Sequence, residues 1–314
     1  MKLHIAGAIL LGTQAISAFT TPAFTNTALH KHSLLSAADG ANGEATGATL
    51  TADSSTESSH ISERAKSVAS FKVMDVLCRA NELQAEGRTI YHCEVGQPES
   101  GAPESVAKKA LDALSGPSRQ VMGYTDAFGM MDLRSNIAKN YLDKYDNVPE
   151  DRVDVKNIVV TTGSSGGFLL TFTACFDTGD TIAVASSGYP CYRNILSALG
   201  CKLASIPIND QFKLTAKELT VEIARRKTAG EKPLNGLILS SPSNPTGAML
   251  QPEELKELCE LCDKEGIQFI SDEIYHGISY GSVPEATALQ YSDKVIVINS
   301  FSKYYSSECL CVWD

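Results

Sequence analysis

The chain has 314 residues, 43% of them hydrophobic, enough to bury a sizeable core in one large domain or two ordinary ones. A formal net charge of −10 argues against nucleic acid as a main partner, and no run of 18 or more apolar residues offers a membrane span. The nine cysteines lack zinc-ligand spacing: Cys259 and Cys262 form a lone C-x-x-C on an expected helix, Cys309 and Cys311 stand apart, and all read as thiols of a reducing compartment.

The N-terminus has a pattern of its own. Lys2 and His4 precede the apolar run Ile5 to Leu11, and small residues follow up to Ser17-Ala18. This reads as a signal peptide over residues 1–18, cut between Ala18 and Phe19. Residues 19–60 are rich in Ser, Thr, Ala and Gly and lack the hydrophobic pattern needed to pack. The string Ser17-Ala18-Phe19-Thr20-Thr21-Pro22 resembles the junction of plastid presequences in algae with secondary plastids, where a transit segment begins with phenylalanine. Asp39, Glu44, Asp53 and Glu57 depart from the usual acid-poor transit composition. The expected destination is a plastid, with the secretory pathway as the alternative.

Helical patterning begins near Ile61. Val68, Phe71, Val73, Val76 and Leu77 make residues 61–100 an N-terminal arm or part of a small domain. Thr89 to Cys93 reads as a short strand leading into the turn Glu94-Val95-Gly96-Gln97-Pro98. Pro103, then Val106, Ala110, Leu111 and Leu114, predict a helix that ends at Gly116-Pro117. Asn157 to Thr162 predicts a strand, Gly163-Ser164-Ser165-Gly166-Gly167 a turn, and Phe168 to Phe176 a helix. A strand, a glycine-rich turn and a helix N-terminus make an anion site, because free backbone N–H groups and the helix dipole point the same way. Neither a Gly-Lys-Ser/Thr nor a Gly-x-Gly-x-x-Gly is present, so this is not a P-loop or a dinucleotide fingerprint.

Further on, strands are expected at Thr181–Ala185, Cys201–Ile206, Gly236–Leu239, Ile267–Ile270 and Val295–Ile298. Helices are expected up to Leu199, from Thr215 to about Arg226, and from Pro252, where Glu253 and Glu254 suit the first turn. Alternation from residue 157 to 298 predicts an α/β fold built on a mainly parallel, helix-covered sheet.

Three stretches stand directly after the last strands: Ser241-Pro242-Ser243-Asn244-Pro245-Thr246-Gly247, Ser271-Asp272-Glu273-Ile274-Tyr275-His276-Gly277 and Ser300-Phe301-Ser302-Lys303. Ligands bind outside the carboxyl ends of strands in open α/β sheets. A lysine there can form a Schiff base when its amine is neutral. In this order and spacing the stretches resemble the class I/II aminotransferases, fold-type-I enzymes that use pyridoxal 5′-phosphate, over roughly Val95 to Ser306. The resemblance implies a large cofactor-binding domain over residues 101–306 and an incomplete small domain.

It also implies roles. Lys303 would hold the cofactor as an internal aldimine and move the substrate Cα proton. Asp272 would keep the pyridine nitrogen protonated, and Asn244 and Tyr275 would donate to the phenolate oxygen; Lys303, Asp272 and Tyr275 form the catalytic set. Tyr189 would lie against the ring, and Ser164, Ser165, Ser300 and Ser302 would contact the phosphate. Tyr124, in the Gly123 to Arg134 segment, would reach the phosphate of the other subunit of a homodimer. Gly96 and Asn244 would lie near the substrate carboxylate, and His276 is expected to be structural. One or both of the peptide bonds before Pro242 and Pro245 are expected to be cis.

The implied reaction moves an amino group between an L-amino acid, aspartate or another common one, and a 2-oxoacid. A β-lyase or synthase of the same fold stays open, as does a relative that binds cofactor without turnover. The family pattern is expected to stop at Ser306, leaving 307–314 as an aberrant tail. The Gly-x-Arg stretch and the arginine that clamps the substrate carboxylate have no counterpart in these 314 residues, so the chain as written is expected to be truncated and not a competent enzyme.

Overall fold

The computed structural model describes residues 8–9, 61–70, 72–96, 98, 100–115, 123–281 and 284–307. The expected transit-like segment 19–60, the tail from 308 to 314 and all of the expected signal peptide except 8–9 lie outside the described residues.

In chain order the elements are β1 (Ala8–Ile9), α1 (Glu63–Ser67), α2 (Lys72–Ala85), α3 (Glu104–Ser115), α4 (Met131–Lys144), β2 (Thr161–Thr162), α5 (Gly163–Cys175), β3 (Thr181–Ala185), α6 (Pro190–Ala198), β4 (Lys202–Ile206), α7 (Ala216–Ala229), β5 (Gly236–Ser240), α8 (Pro252–Glu265), β6 (Gln268–Asp272) and β7 (Ile296–Ile298). Sequence chemistry accounts for the boundaries. Thr215 and Glu218 form a capping box at the start of α7, Pro252 occupies the first turn of α8, and Gly230 and Gly266 end these helices in the left-handed conformation that disfavours a Cβ.

β4-β3-β5-β6-β7 form one sheet in that order, and every pairing is parallel. Successive residues of each strand point to opposite faces. Ile182, Val184, Ile238, Ile270, Ile296 and Ile298 pack with Phe168 and Phe172 of α5 and Tyr192 and Leu196 of α6. Ala183, Leu237, Leu239, Phe269 and Val297 pack with α8 through Leu255 and Leu258 and with α4 through Leu133, Ile137 and Tyr141. Both faces are therefore covered, which is why these strands read as continuous apolar runs rather than alternating ones.

Three expectations are corrected. Thr89 to Cys93 forms no strand: among the described residues no neighbouring strand takes its backbone, and His92 bonds Glu94 and Gln84 instead. Only Thr161–Thr162 of the 157–162 run is strand. Asp154 caps a short 3-10 turn over Val155–Asn157, and the Val160 N–H donates to the Phe128 carbonyl in a loop. Its strand part pairs in parallel with Ala8–Ile9. Helix α5 begins at Gly163 rather than Phe168, so the glycine-rich segment is the helix's own first turn.

The arm is built differently from the body. Neither α2 nor α3 has a buried residue. Among the described residues no helix is long and apolar enough to cross a membrane.

Candidate active site

Register brings the site together. Ser240 of β5 pairs with Asp272 of β6, and Asp272 pairs with Ile298 of β7, so three neighbouring strands end on one row. The loops that leave these strands therefore emerge at the same edge. Asn244 lies in the loop after β5, Tyr275 in the loop after β6 and Lys303 beyond β7.

Asp272 is the last residue of β6 and only 3% exposed. The Tyr192 hydroxyl donates to its Oδ2, and the Ile274 N–H donates to Oδ1 at 3.1 Å. Burial pushes the carboxyl up to about 6 against the pull of these two donors. Sequence reasoning missed Tyr192. It lies three residues after Tyr189, on the same face at helical spacing, and that was the available signal. Its ring meets those of Tyr189 and Phe168 edge-on, with centroids 5.5 and 4.9 Å apart. Burial raises its phenol and keeps it a donor.

Asn244 Nδ2 donates to the Tyr275 hydroxyl at 3.1 Å, which ties the β5 and β6 loops together. The peptide bonds before Pro242 and Pro245 are both cis. A cavity of about 650 Å³ borders this pair and is also lined by Lys213, Gln251, Ser279 and Tyr280. Asp272 and Lys303 are not in its lining.

Lys303 is half-buried, and its Nζ lies 3.5 Å from the Gly96 carbonyl. The Gly96 turn therefore meets the lysine through its backbone. Ser300 is buried and its Oγ lies 2.6 Å from that of Ser302, whose N–H it also accepts. Helix α5 packs beside the end of β7: a Cβ added at Gly167, just past its first turn, would lie 3.7 Å from Ile298, two residues before Ser300. Ser164 and Ser165 sit in the first turn of that helix. Ser165 Oγ lies 3.7 Å from the Cys191 thiol, next to Tyr189 at the N-cap of α6. Tyr124 is fully exposed in a loop and is not among the residues gathered at this edge.

The profile of the family described as "Aminotransferase class I and II" matches residues 93–310. The chain belongs to that family. The aminotransferase match runs past Ser306, where the resemblance was expected to stop, and so takes in the first residues of the tail. A valine–pyruvate aminotransferase of Mycobacterium tuberculosis is 45% identical over 242 residues, covering 76% of this chain and 58% of the relative. A (5-formylfuran-3-yl)methyl phosphate transaminase of Methanocaldococcus jannaschii is 33% identical over 250 residues, covering 78% and 60%. The crystal structure of an aminotransferase from Mycobacterium tuberculosis superposes with a TM-score of 0.69 at 43% identity, covering 79% of this chain and 61% of that one. The chain thus spans about three-fifths of the length of these aminotransferases.

The residues fit the family's cofactor by their chemistry. Pyridoxal phosphate offers an aldehyde, a pyridine nitrogen, a phenolate and a phosphate. Facing the sheet edge are an amine, a buried carboxylate, an amide with a phenol, and a helix N-terminus carrying serines. A carboxyl whose affinity for its proton has been raised by burial suits a partner that brings positive charge. The buried thiols Cys259 and Cys262 play no part, and among the described residues no group of side chains could hold a metal ion.

Proposed function

We propose that the protein acts as a pyridoxal 5′-phosphate-dependent transaminase, exchanging an amino group between an L-amino acid and a 2-oxoacid. The observation that carries this reading is the single row on which β5, β6 and β7 end, delivering Asn244, Asp272 with Tyr275, and Lys303. When bound, the cofactor supplies an electron sink that acidifies the Cα–H bond of an attached amino acid.

The chain's residues do the rest. Lys303 would bond the aldehyde carbon, and its Nζ would take up and return the Cα proton. Asp272 would partner the pyridine nitrogen and hold a proton there, its carboxylate oriented by Tyr192 and the Ile274 N–H. Asn244 and Tyr275 would donate to the ring oxygen. The first turn of α5, with Ser164, Ser165, Ser300 and Ser302, would take the phosphate. Tyr189 would cover the ring.

The 45% identity to a valine–pyruvate aminotransferase favours a small apolar amino acid over aspartate as donor. Tyr124, fully exposed in one chain, is reserved for a partner subunit in a homodimer. Residues 1–60 direct the protein to a plastid; a fluorescent fusion of that segment entering the secretory pathway would overturn this last point.

The test is borohydride reduction of the cofactor-loaded protein followed by peptide mapping. Label on Lys303 is expected, and label on another lysine, or none, overturns the reading. Half-reactions with valine and with aspartate then rank the donors.

A further inference from the structure

Lys303, Asp272 and Asn244 come from three separate strand ends, and a shared register alone does not hold the loops beyond that row. The helix that does so is α4. One turn apart near its C-terminal end stand Tyr141 and Tyr145, both buried, with ring centroids 5.4 Å apart. The Tyr141 hydroxyl accepts from Asn299 Nδ2 at 3.0 Å, and Asn299 Oδ1 accepts the Ser300 N–H at 2.7 Å. That contact leads straight into the Ser300–Lys303 segment. Tyr145 Oη lies 2.6 Å from Nδ1 of His276, a residue 5% exposed.

His276 is the second half of the connection. Its Nε2 lies 2.9 Å from the Ser241 carbonyl, which can only accept, so Nε2 carries a proton. In the neutral ring Nδ1 is then the acceptor for the Tyr145 hydroxyl. Glu273 flanks the ring, with Oε2 at 3.5 Å from Nδ1, while its Oε1 accepts from Ser271, Thr287 and the Ala288 N–H. Ser241 is also held by its N–H to the Asp272 carbonyl and by its Oγ from the Leu250 N–H. Among these grips on Ser241, His276 is the side chain that reaches it from another loop. The adjacent Tyr275 grips Asn244 at the same time. Two neighbouring residues of the β6 loop thus clamp two points of the β5 loop.

We propose that Tyr141, Tyr145 and His276 form a brace that locks the Asn244 loop and the Lys303 segment to α4, making His276 a positioning residue for the donors to the cofactor's ring oxygen. The proposal rests on the transaminase reading for what those donors serve, but not for the brace itself. Histidine suits the place because one small rigid ring offers a donor and an acceptor on opposite edges, and phenylalanine offers neither.

The test uses three variants of the full chain: Tyr145→Phe, His276→Phe and His276→Gln. In cofactor-free protein labelled with ¹⁵N-asparagine, Tyr145→Phe and His276→Phe are expected to move the side-chain amide signals of Asn244 and Asn299. The hydroxyl signal of Tyr192, which serves Asp272 from the opposite face, should stay in place. His276→Gln, keeping a donor and an acceptor, should restore much of the Asn244 signal. In loaded protein, loss of donors destabilises the anionic ring oxygen, so the pH midpoint of the cofactor's visible band should rise by about one unit in His276→Phe and less in His276→Gln. Asn244 signals unchanged in both Phe variants would overturn the brace. So would movement of Tyr192 and Asn244 alike, which marks general loosening. If wild-type protein never gains the visible band, the transaminase reading fails, while the Asn244 signals still decide the brace.

Discussion

The expected arm over residues 61–100, taken together with α3 up to residue 115, and the body over 123–307 carry the same helical signal and come to different ends. Helix α3 repeats Val106, Ala110, Leu111 and Leu114 on one face, much as α8 repeats Leu255, Leu258, Cys259 and Cys262. In α8 that face is buried against the sheet, with Leu258 and Cys259 at 0% exposure. In α3 Val106 and Ala110 are only half-buried, and Leu111 and Leu114 stand open at 63% and 64%. Periodicity says which face of a helix wants cover; it does not say whether the cover is present. Among the described residues, the hydrogen bonds that tie the arm to the body include Asn194 with the Ala69 carbonyl, Lys303 with Gly96 and Ser100 with Ser306.

The contrast between the two regions is tested most severely at the lysine. If the body alone carries the chemistry, Lys303→Ala should abolish borohydride labelling and cut turnover by about 10²–10⁴-fold or more, the range for loss of a positioned acid–base group. Gly96→Ala in the arm has open space and should leave labelling intact. Retained labelling in Lys303→Ala would end the assignment. Truncating the core comes next. Phe172→Ala, at 0% exposure between α5 and the sheet, should cost about 3–5 kcal/mol in urea unfolding.

Asp272 gives an effect of similar size that depends on pH. Burial holds its carboxyl at about 6 in the folded chain, above the ~3.9 of an unfolded aspartate. Ionisation therefore favours the unfolded state. Cofactor-free protein should lose about 3 kcal/mol of stability as pH rises from about 4 to above 6. Asp272→Asn should flatten that part of the stability profile, and an unchanged slope would show that the carboxyl is not the source. The smallest effect belongs to the arm: Leu114→Ala should stay within about 0.5 kcal/mol of wild type, because nothing is uncovered. A loss of several kcal/mol there would mean that α3 is covered in solution.

The strands of the sheet were legible because each is an apolar run bounded by turn residues, and both faces are buried. The positions of Asp272, Asn244 and Lys303 at or beyond strand ends were legible for the same reason, by counting from the runs, whereas their roles came from the resemblance to the class I/II aminotransferases. Contacts set by tertiary packing were not. Tyr192 reaches Asp272 only through the packing that gathers it with Phe168 and Ile270 on one face of the sheet, and His276 meets Tyr145 across 131 positions of chain. The Thr89–Cys93 run has strand composition, but strand formation needs a partner edge, and among the described residues none is adjacent. The early start of α5 was hidden by glycine and serine, which local propensity assigns to turns although a helix N-terminus tolerates them.

The sequestered pair on α8 also gives the molecule a chemical clock. Burial pushes the Cys262 thiol up to about 12 and raises that of Cys259 as well, and both are shut away from solvent. Only thiolate reacts with an alkylating reagent. Cys78 and Cys93 in the arm are exposed and should be tagged first, whereas tagging of Cys259 and Cys262 must wait until α8 leaves the sheet. The rate at which mass increments appear on the α8 peptide therefore counts openings of the body, one molecule at a time, in unmodified protein and without denaturant.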